Sequence, residues 1–325
     1  MRILEIIELE NQNNKADSLK LLEILDYREN NLSIENKKLL SSLRKGNHGE
    51  LEAIQFIKEY GLSHWRIIRN YWGDYNGRFE SDLILITSTS CYVFEVKNYF
   101  GKFIYNNGHS SIDDRELTSD CVFQTRRSYK NIRNLLQDEV HPSNVHGVLL
   151  FIGEHNDVYI ESLIDDIEIV KRSGFMRFIQ RIVQDEHSYH GNKISIRKIE
   201  EKLLRHAISN PFNLPPLTFS ETQNLRKGIS CCECQSFAVE ISRNFITCLC
   251  GNVENRREAM IRTICEYGAL TYNQPLIAKQ LYDFIAVDTS YSFLFRILST
   301  YFKKEDIPRI GFYKNENIYL HYKDN

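Results

Sequence analysis

The chain has 325 residues and a mass of 38.3 kDa. Single domains usually contain about 100 to 200 residues, so we expect two or three modules. Apolar residues make up 42% and charged residues 26%, a composition that excludes disordered, collagen-like and membrane-embedded classes. The 41 basic and 43 acidic residues give a net charge of -2, so no global excess of positive charge indicates a polyanionic partner.

The sequence also bears on where the protein resides. No apolar run approaches the roughly 18 residues that a membrane-spanning helix needs, so we expect no membrane association. The N-terminus carries Glu5, Glu8 and Glu10 where a secretory signal has a continuous apolar stretch, which favours a cytoplasmic location. Five of the eight cysteines lie between residues 231 and 250, and in that compartment such crowding indicates metal binding rather than disulfides.

Changes of periodicity divide the chain into six parts. Residues 1–45 predict a helical lead-in, residues 46–160 alternate helices with short strands in an α/β pattern, and residues 161–210 return to helical spacing as a helical extension. Residues 211–228 predict a linker, because Pro211, Pro215 and Pro216 prevent continuation of a helix. A cysteine-rich segment at 229–253 and a last module at 254–325 complete the chain.

Glu50 begins a predicted helix directly after the residues Gly46-Asn47-His48-Gly49. It shares the side of Ile54 and Ile57, so its carboxyl is directed toward the edge of the core, where it requires a cation or a metal as partner. The alternative is a first-turn glutamate stabilised by the helix dipole. Glu50 alone does not decide between these two interpretations.

Two apolar strands at residues 81–87 and 91–103 predict a hairpin closed by the turn at residues 87–90. Asp82 opens the first strand, and the period of two places Glu95 and Lys97 on one face of the second. The structural alternative is a Glu95–Lys97 ion pair at a sheet edge. Otherwise, an Asp and a Glu on adjacent strands supply the oxygen ligands that Mg²⁺ or Mn²⁺ prefers, and a nearby lysine stabilises charge on phosphate. This combination favours phosphodiester hydrolysis.

Four segments in this order resemble the nuclease-related domain, NERD, of the PD-(D/E)XK nuclease superfamily: GNHGE at 46–50, ESDLILI at 80–86, YVFEVKNYFGKF at 92–103 and VFQTRRSYKNIRNLL at 122–136. The resemblance implies a restriction-endonuclease-like α/β core over about residues 46–155. It further implies that Asp82 and Glu95 hold the metal, that Lys97 is the catalytic lysine, that Glu50 is an accessory acid and that Gln124 lines the site. Two departures from the family pattern are Glu80-Ser81 where Gln-Ile is usual and the absence of a proline ahead of Gln124.

The helix that contains Gln124 also carries Arg126, Arg127, Lys130 and Arg133. Residues 126, 130 and 133 share one face at i, i+4 and i+7, which predicts a stripe that follows a phosphate backbone. The alternative is an ordinary solvated face, because Asp138 and Glu139 offset the charge.

Cys231 and Cys234 form a C-x-x-C pair and Cys248 and Cys250 a C-x-C pair, separated by residues that predict two short strands. The pattern resembles a zinc ribbon, in which four thiolates converge on one structural Zn²⁺. Cys232 is an alternative to Cys231 as the first ligand.

Residues 254–325 predict a small winged-helix-like α+β module. Its helices are expected at 254–268 and 271–285, with a third beginning at a Thr289 or Ser290 cap and two strands following around residues 315–317. The third helix is rich in aromatic residues, so the sequence leaves open whether it belongs to the core, contacts a protein partner or docks on DNA.

Taken as a whole, the sequence predicts a Mg²⁺- or Mn²⁺-dependent DNA nuclease of NERD type, with an α/β core, a helical lead-in, a zinc ribbon and a winged-helix-like tail. DNA is favoured over RNA as the substrate. The alternative is an inactive nuclease-like protein that binds DNA or recruits a partner.

Overall fold

The computed structural model describes residues 4–8, 17–29, 31–287, 290–305 and 311–315. The chain divides into two compact units, the first formed by Met1–Leu9 and Ser42–Asn210 and the second by Glu10–Ser41 and Pro211–Asn325. In the part of the chain that is described, no helix combines the length and the apolar composition needed to cross a membrane.

The helices, in chain order, are α1 (Ser18–Arg28), α2 (Ile34–Tyr60), α3 (Cys121–Leu135), α4 (Arg172–Ser188), α5 (Ile196–Arg205), α6 (Phe219–Thr222), α7 (Arg256–Leu270), α8 (Ala278–Ile285) and α9 (Tyr291–Tyr301). The strands of the first unit are β1 (Glu5–Glu8), β2 (Arg66–Asp74), β3 (Arg78–Ile86), β4 (Cys91–Lys97), β5 (Gly101–Asn106), β6 (His109–Ile112), β7 (Arg115–Glu116), β8 (Val145–Phe151), β9 (Asn156–Ile160) and β10 (Glu168–Lys171). Those of the second unit are β11 (Val239–Ile241), β12 (Phe245–Cys248), β13 (Val253–Asn255), β14 (Leu276–Ile277) and β15 (Phe312–Tyr313). The first unit thus has the mixed α/β composition that the sequence predicts.

A six-stranded sheet with the order β1-β2-β3-β4-β8-β10 forms the centre of the first unit. Apolar side chains of α2 and α4 pack on one face, and those of α3 and α5 pack on the other. Strand β4 is therefore buried on both sides, as its nearly continuous apolar sequence requires. Its residues alternate between the two cores, with Phe94 on the α2 and α4 side and Val93 on the α3 side. Glu95 follows the period of Val93 and is directed toward α3.

Two strands lie where the sequence predicted helices. Strand β1 pairs in parallel with β2, and β10 pairs in parallel with β8. Their sequences, EIIE and EIVK, have four residues each, too few for the helical and extended periods to be told apart. Pairing with a neighbouring strand decides the conformation, so the helical descriptions of residues 1–45 and 161–210 are wrong at these two strands.

The predicted hairpin is present, since the Thr87 N–H donates to the Ser90 carbonyl at 2.9 Å and joins β3 to β4. The second strand expected at 91–103 is two strands, because β5 belongs to a separate sheet with the order β7-β6-β5-β9. The break falls at Gly101, which has a φ of +94° and where an added Cβ would lie 2.2 Å from Asp113 Oδ2. Only glycine fits that position.

In the second unit, β11 and β12 are the two short strands predicted between the cysteine pairs, and β13 adds a third to an antiparallel sheet. Ser290 caps α9, as predicted, with its side chain accepting from the Phe293 N–H. Helix α8 begins at Ala278, later than expected, because Pro275 and the strand β14 precede it. Strand β14 pairs with β15, whereas residues 316–325 of the expected terminal hairpin lie outside the described residues.

Candidate active site and cysteine cluster

Asp82 and Glu95 lie where two neighbouring strands diverge. The ladder between β3 and β4 extends from the Ile86–Cys91 pair to the Leu83–Phe94 pair, and Asp82 and Glu95 are the next residue on each strand. Asp82 therefore lies inside β3, not at its start as the sequence indicated. Its Oδ2 accepts from the Val96 N–H at 2.6 Å, so a side chain takes the place of the lost backbone acceptor.

Lys97 links this pair of acids to helix α3. Its Nζ donates to Glu95 Oε1 at 2.6 Å and to Gln124 Oε1 at 3.3 Å. Burial lowers the pKa of Lys97, but the charges of Glu95 and Asp82 outweigh burial and raise that pKa above its usual range. Lys97 is thus protonated at neutral pH. The Glu95–Lys97 ion pair weighed as a structural alternative is present, within a larger cluster that also includes Asp82 and Gln124.

Negative charge exceeds positive charge around Asp82. Burial, followed by the charges of Glu95 and Glu50, raises the pKa of Asp82 well above its usual range, and the charge of Lys97 acts in the opposite direction. A carboxylate destabilised in this way is relieved either by a proton or by a cation bound next to it. The donor set of Asp82 and Glu95, both hard oxygen ligands, fits Mg²⁺ or Mn²⁺.

Glu80 is a further acid of the cluster, and the motifs of the sequence indicated no role for it. Desolvation, followed by the charges of Glu95 and Glu50, raises the pKa of Glu80 to about 7, although the residue is exposed. The period of two along β3 places residues 80 and 82 on the same face, and that pattern was the signal available in the sequence.

Glu50 reaches the cluster from α2 and has a cation partner of its own. Its Oε2 lies 3.1 Å from Nε of Arg69, a residue of β2 that is 8% exposed. Arg69 also donates to Asn47 Oδ1. The sequence predicted that Glu50 requires a partner, but it did not identify Arg69, because the contact joins elements 19 residues apart.

The basic face predicted on α3 is only partly available to a ligand. Arg126 Nε pairs with Asp166 Oδ1 at 2.8 Å, and Arg133 donates to the Tyr129 hydroxyl at 3.1 Å. Arg127 and Lys130 are exposed, and Arg127 also donates to the Arg78 carbonyl. The charge offset that the sequence suggested for this helix is thus provided to Arg126 by Asp166, whereas Asp138 pairs with Lys202 at 3.3 Å.

Four cysteines of the second unit converge. Cys231 Sγ lies 3.6 Å from Cys250 Sγ, Cys234 Sγ lies 3.5 Å from Cys248 Sγ, and all four sulfurs are within 4.8 Å of one another. A tetrahedral zinc site with bonds of about 2.3 Å separates its sulfurs by about 3.8 Å, so the four thiols could hold Zn²⁺.

The spare thiol Cys232 lies outside this group and accepts from Asn252 Nδ2 at 3.1 Å. Burial opposes ionisation of Cys231, but hydrogen bonds from the backbone of Cys234 and Glu233 lower its pKa to about 7. The structure thus groups Cys231, rather than Cys232, with the other three sulfurs.

Comparison with known proteins finds one family model that matches part of the first unit. Residues 45–152 match the family model of the nuclease-related domain, NERD. No curated protein matches the chain. One similar solved structure is the crystal structure of a protein of unknown function, AF1548, with 8% sequence identity, coverage of 50% of this chain and 96% of that chain, and a TM-score of 0.26. Glu50, Asp82, Glu95, Lys97 and Gln124 lie within the matched range, and residues 45–152 are thus similar to the nuclease-related domain.

Proposed function

We propose that the first unit is a divalent-metal-dependent deoxyribonuclease that hydrolyses phosphodiester bonds. One observation carries the proposal: Asp82 and Glu95 meet where two strands diverge, in a cluster with excess negative charge, and Lys97 joins them to Gln124. A cluster of this kind is destabilised without a bound cation, and such arrangements concentrate at functional sites.

In this proposal Asp82 and Glu95 would hold Mg²⁺ or Mn²⁺. When bound, the ion would lower the pKa of a coordinated water and neutralise charge on a phosphate oxygen. Lys97, protonated and fixed by Glu95 and Gln124, stabilises the negative charge that develops on the phosphate during hydrolysis. Gln124 orients the Lys97 ammonium, and Glu50 is an accessory acid whose carboxylate Arg69 holds in place.

The test compares wild-type protein with Asp82→Ala and Lys97→Ala on plasmid and single-stranded DNA, with and without Mn²⁺. We expect cleavage by the wild type only with the metal, and a loss of at least about 100-fold in each variant, the usual effect of removing one electrostatic catalytic group. Circular dichroism checks that the variants are folded. Equal cleavage by the wild type and both folded variants would refute the assignment.

The contacts of the acids also favour a second candidate, an inactive nuclease-like protein that binds DNA or recruits a partner. Glu95 and Glu50 each have a cation partner, Lys97 and Arg69. Among the described residues, the four cysteines are the one set of three or more His, Cys, Asp or Glu with ligand atoms within 4.8 Å of each other. Retention of DNA with no cleavage at any Mn²⁺ concentration would favour this candidate. The same assay with RNA in place of DNA distinguishes an RNA-directed enzyme, which would cleave RNA, from a deoxyribonuclease.

For the second unit we propose that Cys231, Cys234, Cys248 and Cys250 bind one structural Zn²⁺ as a zinc ribbon, and that residues 254–325 form a winged-helix-like module. The order α7, β14, α8, α9, β15 and the pairing of β14 with β15 support the latter proposal. Protein purified without chelator should contain one zinc per chain by metal analysis. Cys231→Ser should lose that zinc and Cys232→Ser, its matched control, should keep it; the reverse result would assign the ligand to Cys232.

A further inference from the structure

Two exposed phenylalanine residues lie close in sequence to residues of the candidate active site. Phe123 is 62% exposed and immediately precedes Gln124, whose Oε1 accepts from Lys97. Phe100 is 65% exposed and follows Lys97 by three residues, so their Cα atoms are at most about 11 Å apart. Phenylalanine is usually buried, and an exposed ring offers a flat apolar face to a ligand.

The exposed face of α3 continues from Phe123 as a row of positive charge. Phe123, Arg127 and Lys130 occupy positions i, i+4 and i+7 and are all exposed. The sequence predicted a different face of α3, formed by residues 126, 130 and 133. In the structure Arg126 is paired with Asp166 and Arg133 lies over the Tyr129 ring, so the exposed row includes Arg127 instead. Arg78, the exposed first residue of β3, lies next to this row, since Arg127 donates to the Arg78 carbonyl.

We propose that Phe123 and Phe100 stack on unpaired bases, and that Arg127 and Lys130 hold the phosphates of the same strand, so that the substrate of the active site is single-stranded or frayed DNA. The substrate class rests on the proposed nuclease function. The reason is geometric: both faces of each base inside a duplex are covered by neighbouring bases, so an exposed protein ring stacks only on a base that is unpaired or terminal. A face made to follow a duplex backbone needs cations but no aromatic rings.

Arg127 and Lys130 also offset the repulsion between a phosphate backbone and the acids of the active site. Glu50, Glu80, Asp82 and Glu95 repel a phosphate backbone, and Lys97 is already hydrogen-bonded to Glu95. Arg127 and Lys130 lie one and two turns of α3 beyond Phe123, so they attract phosphates while a base rests on the ring. In this proposal a single strand of DNA therefore follows α3, with a base on the Phe123 ring and phosphates at Arg127 and Lys130.

The experiment measures the affinity of the full-length protein for a fluorescein-labelled oligothymidylate and for a blunt duplex of equal length, by anisotropy without added divalent ions. We expect Phe123→Ala and Phe100→Ala each to weaken binding of the single strand about tenfold, with little change for the duplex. Phe123→Trp should retain the affinity and Phe123→Leu should not, because only the former keeps an aromatic face. Leu163→Ala, which removes a 90% exposed apolar side chain of the same unit, is the matched control.

Arg127→Ala should weaken binding of both nucleic acids and reduce its salt dependence, as expected for a phosphate contact. Unchanged single-strand affinity in both Phe→Ala variants, equal loss for single strand and duplex, or no binding of oligothymidylate by the wild type would each overturn the inference. The last result would leave the rings to a protein partner.

Failure of the inference can be distinguished from failure of the proposed nuclease. A wild type that cuts DNA with Mn²⁺ but shows no effect of the Phe→Ala substitutions on binding refutes the strand path alone. A wild type whose single-strand affinity depends on both rings, but which cuts nothing, refutes the nuclease and leaves the strand path supported.

Discussion

Each unit contains a cluster of ionisable side chains, and the two clusters are balanced differently. In the first unit, Glu50, Glu80, Asp82 and Glu95 outnumber the cations Lys97 and Arg69. In the second unit, a buried charge network joins two arginines to two glutamates, namely Arg28, Arg262, Glu254 and Glu266. Arg28 is fully buried and Glu266 is 1% exposed, yet every member has an opposite charge as partner.

The difference distinguishes a cluster whose charges stabilise the fold from one that we propose binds a cation. The buried charge network is closed: Glu266 accepts from both Arg28 and Arg262, Arg28 also donates to the Gly228 carbonyl, and Arg262 also donates to the Ser230 carbonyl. Nothing more is required to satisfy it. The cluster at Asp82 retains unbalanced negative charge and is therefore the one expected to bind a cation.

The largest effect is expected from opening the closed network. Glu266→Gln leaves Arg28 and Arg262 buried without their shared acid, and we expect the second unit to lose about 3–5 kcal/mol of unfolding free energy. Urea denaturation followed by far-ultraviolet circular dichroism measures this loss.

The control for that prediction is Glu201→Gln, which breaks the ion pair between Glu201 and Arg197. The Glu201 side chain is 53% exposed and the Arg197 side chain is 87% exposed. An exposed pair contributes less than about 1 kcal/mol. Equal effects of the two substitutions would show that burial of the network does not determine its contribution.

An intermediate effect is expected at Glu186, a buried acid held mainly by neutral donors. Trp65 Nε1 donates to it at 2.9 Å and the Ser88 N–H at 3.2 Å, and His64 Nε2 lies 2.6 Å away. Burial alone would raise the pKa of Glu186, but these hydrogen bonds lower it below its usual 4.5. We expect Glu186→Gln to reduce the unfolding free energy of the first unit by about 1.5–3 kcal/mol at neutral pH.

The pH dependence of this effect has a definite sign. A carboxyl whose pKa is lower in the folded state contributes stability above pH 4.5 and loses that contribution as the pH falls through the folded value. The difference in unfolding free energy between the wild type and Glu186→Gln should therefore become smaller below pH 4.5. Both tryptophans, Trp65 and Trp72, belong to the first unit, so their fluorescence during urea unfolding reports on that unit. A difference that grows on acidification would contradict the contacts described for Glu186.

The smallest effect, and one of opposite direction, is expected at Asp82. Since burial and the charges of Glu95 and Glu50 disfavour the ionised carboxylate, Asp82→Asn should stabilise the metal-free first unit by about 0.5–2 kcal/mol. Asparagine can still accept from the Val96 N–H, so the strand geometry is kept.

Addition of Mn²⁺ should then stabilise the wild type and not Asp82→Asn, because only a protein that binds the ion gains stability from it. Thermal unfolding followed by tryptophan fluorescence measures both quantities. Destabilisation of the metal-free protein by Asp82→Asn would show that Asp82 is a structural residue like Glu266.

Most of the candidate active site could be predicted from the sequence because its residues lie on short, regular elements. Glu95 and Lys97 are two residues apart on one strand, so the period of two is enough to place them on one face. Arg69 and the exposure of Phe123 could not be predicted, because they depend on how α2 and α3 pack on the sheet. The same packing leaves Arg127 exposed on α3, whereas Arg126 and Arg133 are partly buried.

The sequence by itself determined the residues available for chemistry: the acids and lysine of the β3–β4 hairpin, the two cysteine pairs and the Ser290 cap, each encoded within a few neighbouring residues. Tertiary structure alone decided which charges are balanced. Arg28 and Glu266 are 238 positions apart, and β1 and β10 become strands only by pairing with distant partners. Local propensity acts over a few residues, whereas charge pairing and strand pairing depend on distances in space that only the folded chain sets.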